Sequence, residues 1–435
     1  MEQEYISDLH LHSKYARATS ERMELANIDF AAARKGISIC STGDFTHALW
    51  FANLKENLEE SEPGLYTVKG SAIRTRFVVG VEIATISGNA SMGIFDRSGT
   101  AKRVHHVVLA PGLEIAAQIN DALAKRGDLS ADGRPMLNMS PAELVEIVTG
   151  ISRKALVFPA HAWTPWFGVF GSMSGYDSMQ EAYEDQEQHV HALETGLSSD
   201  PSNNWRVSKL DKYALVSTSD AHSLQKIGRE ATVFEFEQSR LSFDAIADAI
   251  INKKVKYTIE FYPEEGKYHY DGHRKCGISL SPEEAKRYNN ICPVCGKPLT
   301  LGVLHRIDEL ADRPQGYTQE SFAPFVHAVP LVEILSKVYG KPEGSKAVER
   351  AYSLFVSKFG SEFNTLLKAD INSISEIDSK VAKAIENIRR NNVFVKPGYD
   401  GVFGVVDVLN GQHEHEHEHK REHERSDLQK TISDF

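Results

Sequence analysis

The first 250 residues predict an α/β fold built on a mostly parallel sheet, open or closed into a barrel. Short apolar runs recur at 37–40, 77–81, 107–110, 155–158 and 215–216, and amphipathic stretches fall between them at 24–36, 113–126, 140–149 and 179–193. Strands that alternate with helices pair in parallel through helical crossovers. Residues able to do chemistry stand beside these runs, mostly just after them, and parallel α/β folds bind ligands at the carboxyl ends of their strands.

Taken in order, the first such position is Asp8-Leu9-His10-Leu11-His12. Its two imidazoles at i and i+2 share one face of a strand and can chelate one cation. Asp44 and His47 follow the 37–40 run in the turn STGDFTH, and Glu82 ends the 77–81 run. His105 and His106 open the 107–110 run, and strand alternation sends them to opposite faces. His161 follows 155–158, while Asp220 and His222 follow 215–216. Of the 18 histidines, 13 lie outside the C-terminal tail and seven of those occupy these strand ends. Buried imidazoles and carboxylates need partners. A shared divalent cluster of zinc, manganese, iron or magnesium satisfies them together, and adjacent cations favour phosphoester hydrolysis.

A second pattern begins after residue 262. His273 and Cys276, then Cys292 and Cys295, form H-x2-C and C-x2-C separated by 15 residues. That spacing suits one closed, structural, tetrahedral zinc site, with His269 a competing fourth ligand. Four cysteines cannot make a disulfide framework for 435 residues, and Cys40 sits in an apolar run as a core residue. The chain carries 49 basic and 60 acidic residues, yet 252–306 holds 10 basic against 6 acidic. Its lysines and arginines interleave with Tyr268, Tyr270 and Tyr288, a mixture suited to a nucleic-acid backbone.

From about 330 the pattern is helical, at 330–339, 345–359, 361–368 and 373–391. The HEHEHEH-rich run at 413–425 is low in complexity and expected to be disordered. The resulting boundaries are 1–260 for the barrel, 261–305 for the zinc module, 306–411 for a helical DNA-binding domain and 412–435 for the tail. No window is apolar enough to cross a bilayer and no signal peptide opens the chain. A cytoplasmic, nucleoid-associated monomer is expected.

DLHLHS, GDFTH, GVE, RVHHVVLA, His161 and SDAH resemble, in that order, the metal motifs of the PHP (polymerase and histidinol phosphatase) family. The resemblance implies an α/β fold of the distorted (βα)7 PHP barrel type, with an appended zinc-binding module and a C-terminal helical domain. It implies a trinuclear metal cluster held by His10, His12, Asp44, His47, Glu82, His105, His161, Asp220 and His222, with Asp220, His222 and His12 catalytic. His105 is favoured over His106, and TGDFTH in place of the family's TDH leaves the roles of Asp44 and His47 open.

Further motifs, among them PAHAWTPWFGVFGS, ETGLSSDP, KYHYDGHRKCG, CPVCGKPLTLGVLHR and KPGYDGVFG, extend the likeness from residue 8 to about 404. Together they resemble the endonuclease Q family of DNA repair nucleases. That implies cleavage on the 5′ side of deaminated bases (uracil, hypoxanthine, xanthine) or abasic sites. Trp163, Trp166 and Phe167 follow His161 in a Pro- and Gly-containing loop, where aromatics can hold an extruded base. Residues 369–391 faintly resemble a helix-hairpin-helix without its central Gly, so a packed helical pair is expected. Gln429, Ile432 and Phe435 match the motif by which DNA enzymes bind the sliding clamp PCNA; one turn puts the last two on one side. The competing readings are a small-molecule phosphatase of the histidinol-phosphatase type and a non-catalytic damage sensor.

Overall fold

A computed structural model describes residues 2–73, 75–88 and 101–410. The tail run and the clamp-motif residues Gln429, Ile432 and Phe435 lie outside the described residues. The strands of the first part are β1 (Glu2–Asp8), β2 (Ile39–Ser41), β3 (Leu58–Glu62), β4 (Leu65–Val68), β5 (Arg76–Ser87) and β6 (Lys102–Ala110). They continue as β7 (Met136–Asn138), β8 (Leu156–Pro159), β9 (Ala192–Glu194), β10 (Ala214–Val216), β11 (Ala231–Glu237) and β12 (Tyr257–Glu260). The segment after β12 holds β13 (Asp271–His273) and β14 (Ile278–Leu280), and β15 (Phe325–His327), β16 (Phe394–Lys396) and β17 (Val405–Asp407) follow.

Eleven strands form one sheet along the path β15-β12-β11-β1-β2-β5-β4-β3, with β6 and β7 also on β5 and β8 on β6. The expected mostly parallel sheet is mixed. β1–β2, β2–β5, β5–β7 and β12–β15 are parallel. β1–β11, β5–β6 and β6–β8 are antiparallel. The cause is visible at β5 and β6, which pair from Val79↔Ala110 to Ser87↔Lys102. No helical period separates these two runs in the sequence, whereas parallel pairing of consecutive strands calls for a helical crossover.

Helices cover the sheet much as the periodicity predicts: Leu25–Lys35, Leu113–Leu123 and Pro141–Ile151. The first ends at Gly36, whose left-handed conformation (φ 89°) lets its N–H reach the Ala32 and Ala33 carbonyls. The stretch at 179–193 is shorter than its period suggests; the helix Met179–Tyr183 passes through a 3-10 turn into β9. In the C-terminal part, Leu331–Tyr339 and Lys346–Phe359 match the pattern. At 361–368 there is a π turn, and 373–391 splits into Ile371–Ser375 and Ser379–Arg389. The split comes from Asp378, whose carboxylate accepts the N–H groups of Lys380 and Val381 and so starts a new helix. These helices enclose a second core around Leu335, Val348, Phe355, Ile374 and Ile385. Among the described residues no helix is long and apolar enough to cross a membrane.

Two carboxyl groups are sealed where β11 begins and β12 ends. Glu260 accepts from Thr195 Oγ1 and Ser217 Oγ, each at 3.0 Å, and Glu230 accepts the Phe261 N–H at 3.1 Å. Burial, with the charge of Asp200, pushes Glu260 up to about 7, and burial with the charge of Glu260 raises Glu230 well above the usual range. The folded chain therefore keeps a proton that the unfolded chain releases near 4.5. This contribution to stability falls as pH rises from about 4.5 to 7 and is lost above that. Glu260→Gln, which mimics the protonated acid, is expected to match the parent near pH 4.5 and exceed it at pH 8 by up to about 3 kcal/mol. Thermal melts at both pH values check this, and a difference independent of pH would refute it.

Candidate metal centre

β1 and β2 run parallel, so the segments that follow them, Leu9–His12 and 42–47, leave the sheet at the same end. A bridge between Leu11 and Ala221 then lays the first histidines beside the Asp220 turn, with His12 N–H donating to the Ala221 carbonyl at 3.0 Å. Asp8 locks that turn by accepting Ser219 N–H at 3.0 Å, Ser219 Oγ–H at 2.6 Å and Gly228 N–H at 2.8 Å. Asp44, His161 and Asp220 all have left-handed backbones (φ 49°, 31° and 47°). Such strain persists only where surrounding contacts over-determine it, and it gathers at functional sites. Gly196 makes one of these turns possible, because a Cβ there would stand 2.6 Å from His161 Cβ.

Six of the nine expected ligands meet in two groups that share Glu82: His10, His12, Glu82 and Asp220, then Glu82, His105 and His161. Glu82 Oε2 lies 3.7 Å from His10 Nε2 and 3.2 Å from His12 Nε2. Its Oε1 lies 2.7 Å from His105 Nδ1 and 3.1 Å from His161 Nε2. Asp220 Oδ1 is 3.6 Å from His10 Nε2 and 3.1 Å from His12 Nε2. The far sides of the rings are anchored. His10 Nδ1 donates to Glu194 at 3.0 Å, His12 Nδ1 to Asp44 at 2.9 Å, and His161 Nδ1 pairs with Thr164 Oγ1 at 2.7 Å. Carboxylates that orient ligand imidazoles in this way fix the ring and raise its basicity. His10 Nε2 is buried with no hydrogen-bond partner, the condition of a nitrogen aimed at a cation. Mixed imidazole and carboxylate donors fit divalent zinc, manganese or iron.

Burial would push Glu82 up, but His105, Arg134 and His10 outweigh it and hold the carboxylate well below its usual range. Burial would also lower His10 and His12, yet Glu194 and Glu82 raise the first and Asp44 and Asp220 raise the second, both well above the ordinary imidazole value. His105 goes the other way, to about 4, through burial and the charges of Arg134 and His161. His106 stands outside both groups. It lies on the opposite face against Tyr183, and burial lowers it to about 3.

The remaining three expected ligands stand outside these groups. Asp44 spends its second oxygen on Ser13 N–H and Oγ–H, both at 2.6 Å. His47 stacks on Tyr15 at 4.3 Å, and His222 donates from Nδ1 to the Asp220 carbonyl at 2.9 Å, its ring 4.5 Å from His12. Of the three aromatics after His161, Trp163 is a correction. It is only 1% exposed, its indole N–H on Asn204 and its ring on Phe170, so it packs the core and cannot face a base. Phe167 lies 4.3 Å from the His105 ring, and Trp166 is 44% exposed beside Tyr268. Sequence reasoning missed two residues. Glu194 ends an apolar strand, the same signal that marks Glu82, but Arg134, which donates to Glu82 at 3.1 Å, sits in an irregular loop with no signal.

The Cys/His pattern comes together as a second candidate site. His273, Cys276, Cys292 and Cys295 form one group, and His269 stays outside it, stacked on Tyr270. Burial and the neighbouring thiols push Cys276 up to about 11, whereas, against burial, the N–H groups of Cys295 and Val294 bring Cys292 down to about 7. Three thiols this close cannot all ionise without a cation, so the donor set fits zinc.

Residues 330–392 match the family described as the MJ0043 C-terminal domain. The chain is 32% identical over 251 residues to the uncharacterised protein MJ0043 of Methanocaldococcus jannaschii, a match covering 57% of this chain and 31% of that protein. The chain thus spans less than a third of that relative. It is 26% identical over 387 residues to YqxK of Bacillus subtilis, covering 86% and 90%. Among solved structures it is similar to the lesion-specific endonuclease PfuEndoQ from Pyrococcus furiosus, with TM-score 0.81 and 30% identity over 93% of this chain and 95% of that one. It is equally similar to an endonuclease Q bound to a 27-mer duplex with an abasic lesion at its active site, with TM-score 0.80 and 30% identity over 94% and 98%.

Glu194→Gln removes the carboxylate that orients His10 and is expected to weaken metal binding at the Glu82 centre by about 10- to 100-fold. Metal uptake by the Cys/His group should be unchanged. Because His10 and His12 carry protons in the metal-free chain, binding should release protons and tighten as pH rises. Calorimetric titration and elemental analysis decide the matter; an unchanged affinity would remove Glu194 from the site.

Proposed function

The chain belongs to the endonuclease Q family, and on that premise we propose that it hydrolyses the DNA phosphodiester 5′ of deaminated bases (uracil, hypoxanthine, xanthine) or abasic sites. The observation that carries the proposal is the Glu82 bridge between two ligand groups, in a chain similar over nearly its whole length to lesion-specific endonucleases. The sheet is read as the distorted (βα)7 PHP barrel, because the motif order along the chain supports it.

His10, His12, Glu82 and Asp220 would hold one cation, and Glu82, His105 and His161 a second. When bound, the cations supply water activation and neutralise charge on the phosphate and leaving oxygen. Of the family's remaining pattern, His47 and His222 are candidates for a third, a reading supported by the buried, partnerless Nδ1 of His47, while Asp44, with both oxygens engaged, acts through His12. Glu82 fixes the spacing of the first two groups, while Glu194, Asp44 and Thr164 keep their imidazoles turned toward the substrate side. Phe167 and a cavity of about 210 Å3 lined by Thr164, Trp166, Ser198, Lys267 and Tyr268 are assigned to the extruded base, whose flat face needs aromatic or apolar walls. The basic zinc segment and the helical domain are assigned to the DNA backbone, and Gln429, Ile432 and Phe435 to PCNA.

Labelled duplexes carrying uracil, inosine or an abasic site should be nicked on the 5′ side of the lesion, and undamaged duplex left intact. Asp220→Asn, which tolerates the left-handed backbone at that position, should lower incision by at least about 100-fold with DNA binding retained. Full activity in that variant, or after chelation, would end this reading.

Removing residues 429–435 should leave incision of a short duplex and the melting temperature unchanged, while co-elution with the clamp is lost. Equal clamp binding by the truncated chain would mark the motif as coincidence.

A further inference from the structure

Phe403 is 68% exposed, the most exposed of the large hydrophobic residues among those described. Its exposure is not slackness, because the turn that bears it is tightly held. Gly401 N–H donates to the Lys267 carbonyl at 2.9 Å, and Gly404 N–H to that of Glu265 at 3.1 Å. Asp400 accepts from Arg274 N–H at 2.6 Å and from Thr300 Oγ1 at 2.8 Å. A Cβ on Gly398 or Gly404 would overlap the carbonyl oxygens of Gly266 and Glu264, so the turn sits as close to that segment as backbone allows. A single exposed ring is ordinary on a protein surface; what sets this one apart is the held turn beneath it and its place beside Lys267.

The ring also has a direction relative to the metal centre. Phe167 touches the ligand His105 at 4.3 Å, and the next residue, Trp166, meets Tyr268 at 5.4 Å. Lys267, next to Tyr268, holds Nζ 4.4 Å from the centroid of Phe403. A series of rings thus runs from the ligands, past the cavity assigned to the base, to Phe403, and it ends beside a cation suited to a phosphate. Enzymes that extract a base leave a gap in the stack, and apolar side chains inserted between base steps fill such gaps.

Resting on the lesion-endonuclease reading, we propose that Phe403 is the wedge that takes the place of the extruded nucleotide in the duplex, with Lys267 holding the adjoining phosphate. Phe403 does not touch the reacting atoms. It acts on the nucleotide's departure from the stack, so its worth depends on whether the substrate begins paired.

The test compares single-turnover incision by the holoenzyme and its Phe403→Ala and Phe403→Leu variants on two duplexes, one with uracil paired and one with uracil already bulged out. Phe403→Ala is expected to slow incision of the paired substrate by about tenfold or more and that of the bulged substrate by less than about twofold. Phe403→Leu, still apolar and bulky, should recover most of the loss. In stopped flow, 2-aminopurine beside the lesion should brighten before incision with the parent and stay dim with Phe403→Ala. Equal losses on both substrates, or no loss on either, would overturn the proposal. If the parent cuts neither duplex, the lesion-endonuclease reading fails, and the 2-aminopurine signal on binding still decides the role of the ring.

Discussion

Glu82 has no access to water, yet it stays ionised, because four imidazoles and the Arg134 guanidinium come within 4 Å of its two oxygens. A buried charge without such partners would cost several kcal/mol, so the surrounding fold has little freedom. β1, β5, β6 and β8 must deliver His10, His12, His105 and His161 to one point, from strands of mixed direction. That demand accounts for the left-handed turns at Asp44, His161 and Asp220, and for a ring of buried anions (Asp8, Asp44 and Glu194) that no solvent touches. Each of those anions is matched by N–H or O–H donors, or by an imidazole, and so returns part of its desolvation cost.

The other parts of the chain lock onto this centre. β15 joins the main sheet beside β12 although more than sixty residues separate them, with the zinc module in between. The buried Lys35–Glu362 pair at 3.1 Å ties a helix of the first part to the helical part, and Glu362 also accepts the Leu331 N–H and the Tyr352 hydroxyl. The 396–404 turn then closes back on the segment leading into the zinc ligands. The segment bearing the Cys/His group is therefore gripped from two sides, which fits a small unit whose own core is little more than Ala285, Cys292 and Leu299.

Much of the centre was legible in the sequence because ligand chemistry needs particular side chains at the ends of apolar runs. His10, His12, Glu82, His105, His161 and Asp220 all carried that signal, and the zinc spacing carried its own. What escaped notice was geometry. Nothing in 77–110 tells a hairpin from a crossover except the absence of a helical period, and that absence was the clue to the antiparallel β5–β6 pair. Trp163, Trp166 and Phe167 look alike as letters, yet one is in the core, one at the surface and one against a ligand. Arg134 reaches Glu82 from a loop, where sequence position says nothing about direction.

The two metal sites carry different solutions to the problem of being built. At the Glu82 centre the surrounding carboxylates favour protons on His10 and His12, so the walls of the site can assemble first and exchange protons for a cation afterwards. The cysteine site has no such substitute, since its thiols oppose one another's ionisation. Its ion must arrive while that segment folds. One polypeptide would thus carry an early site and a late one, filled at different stages of folding.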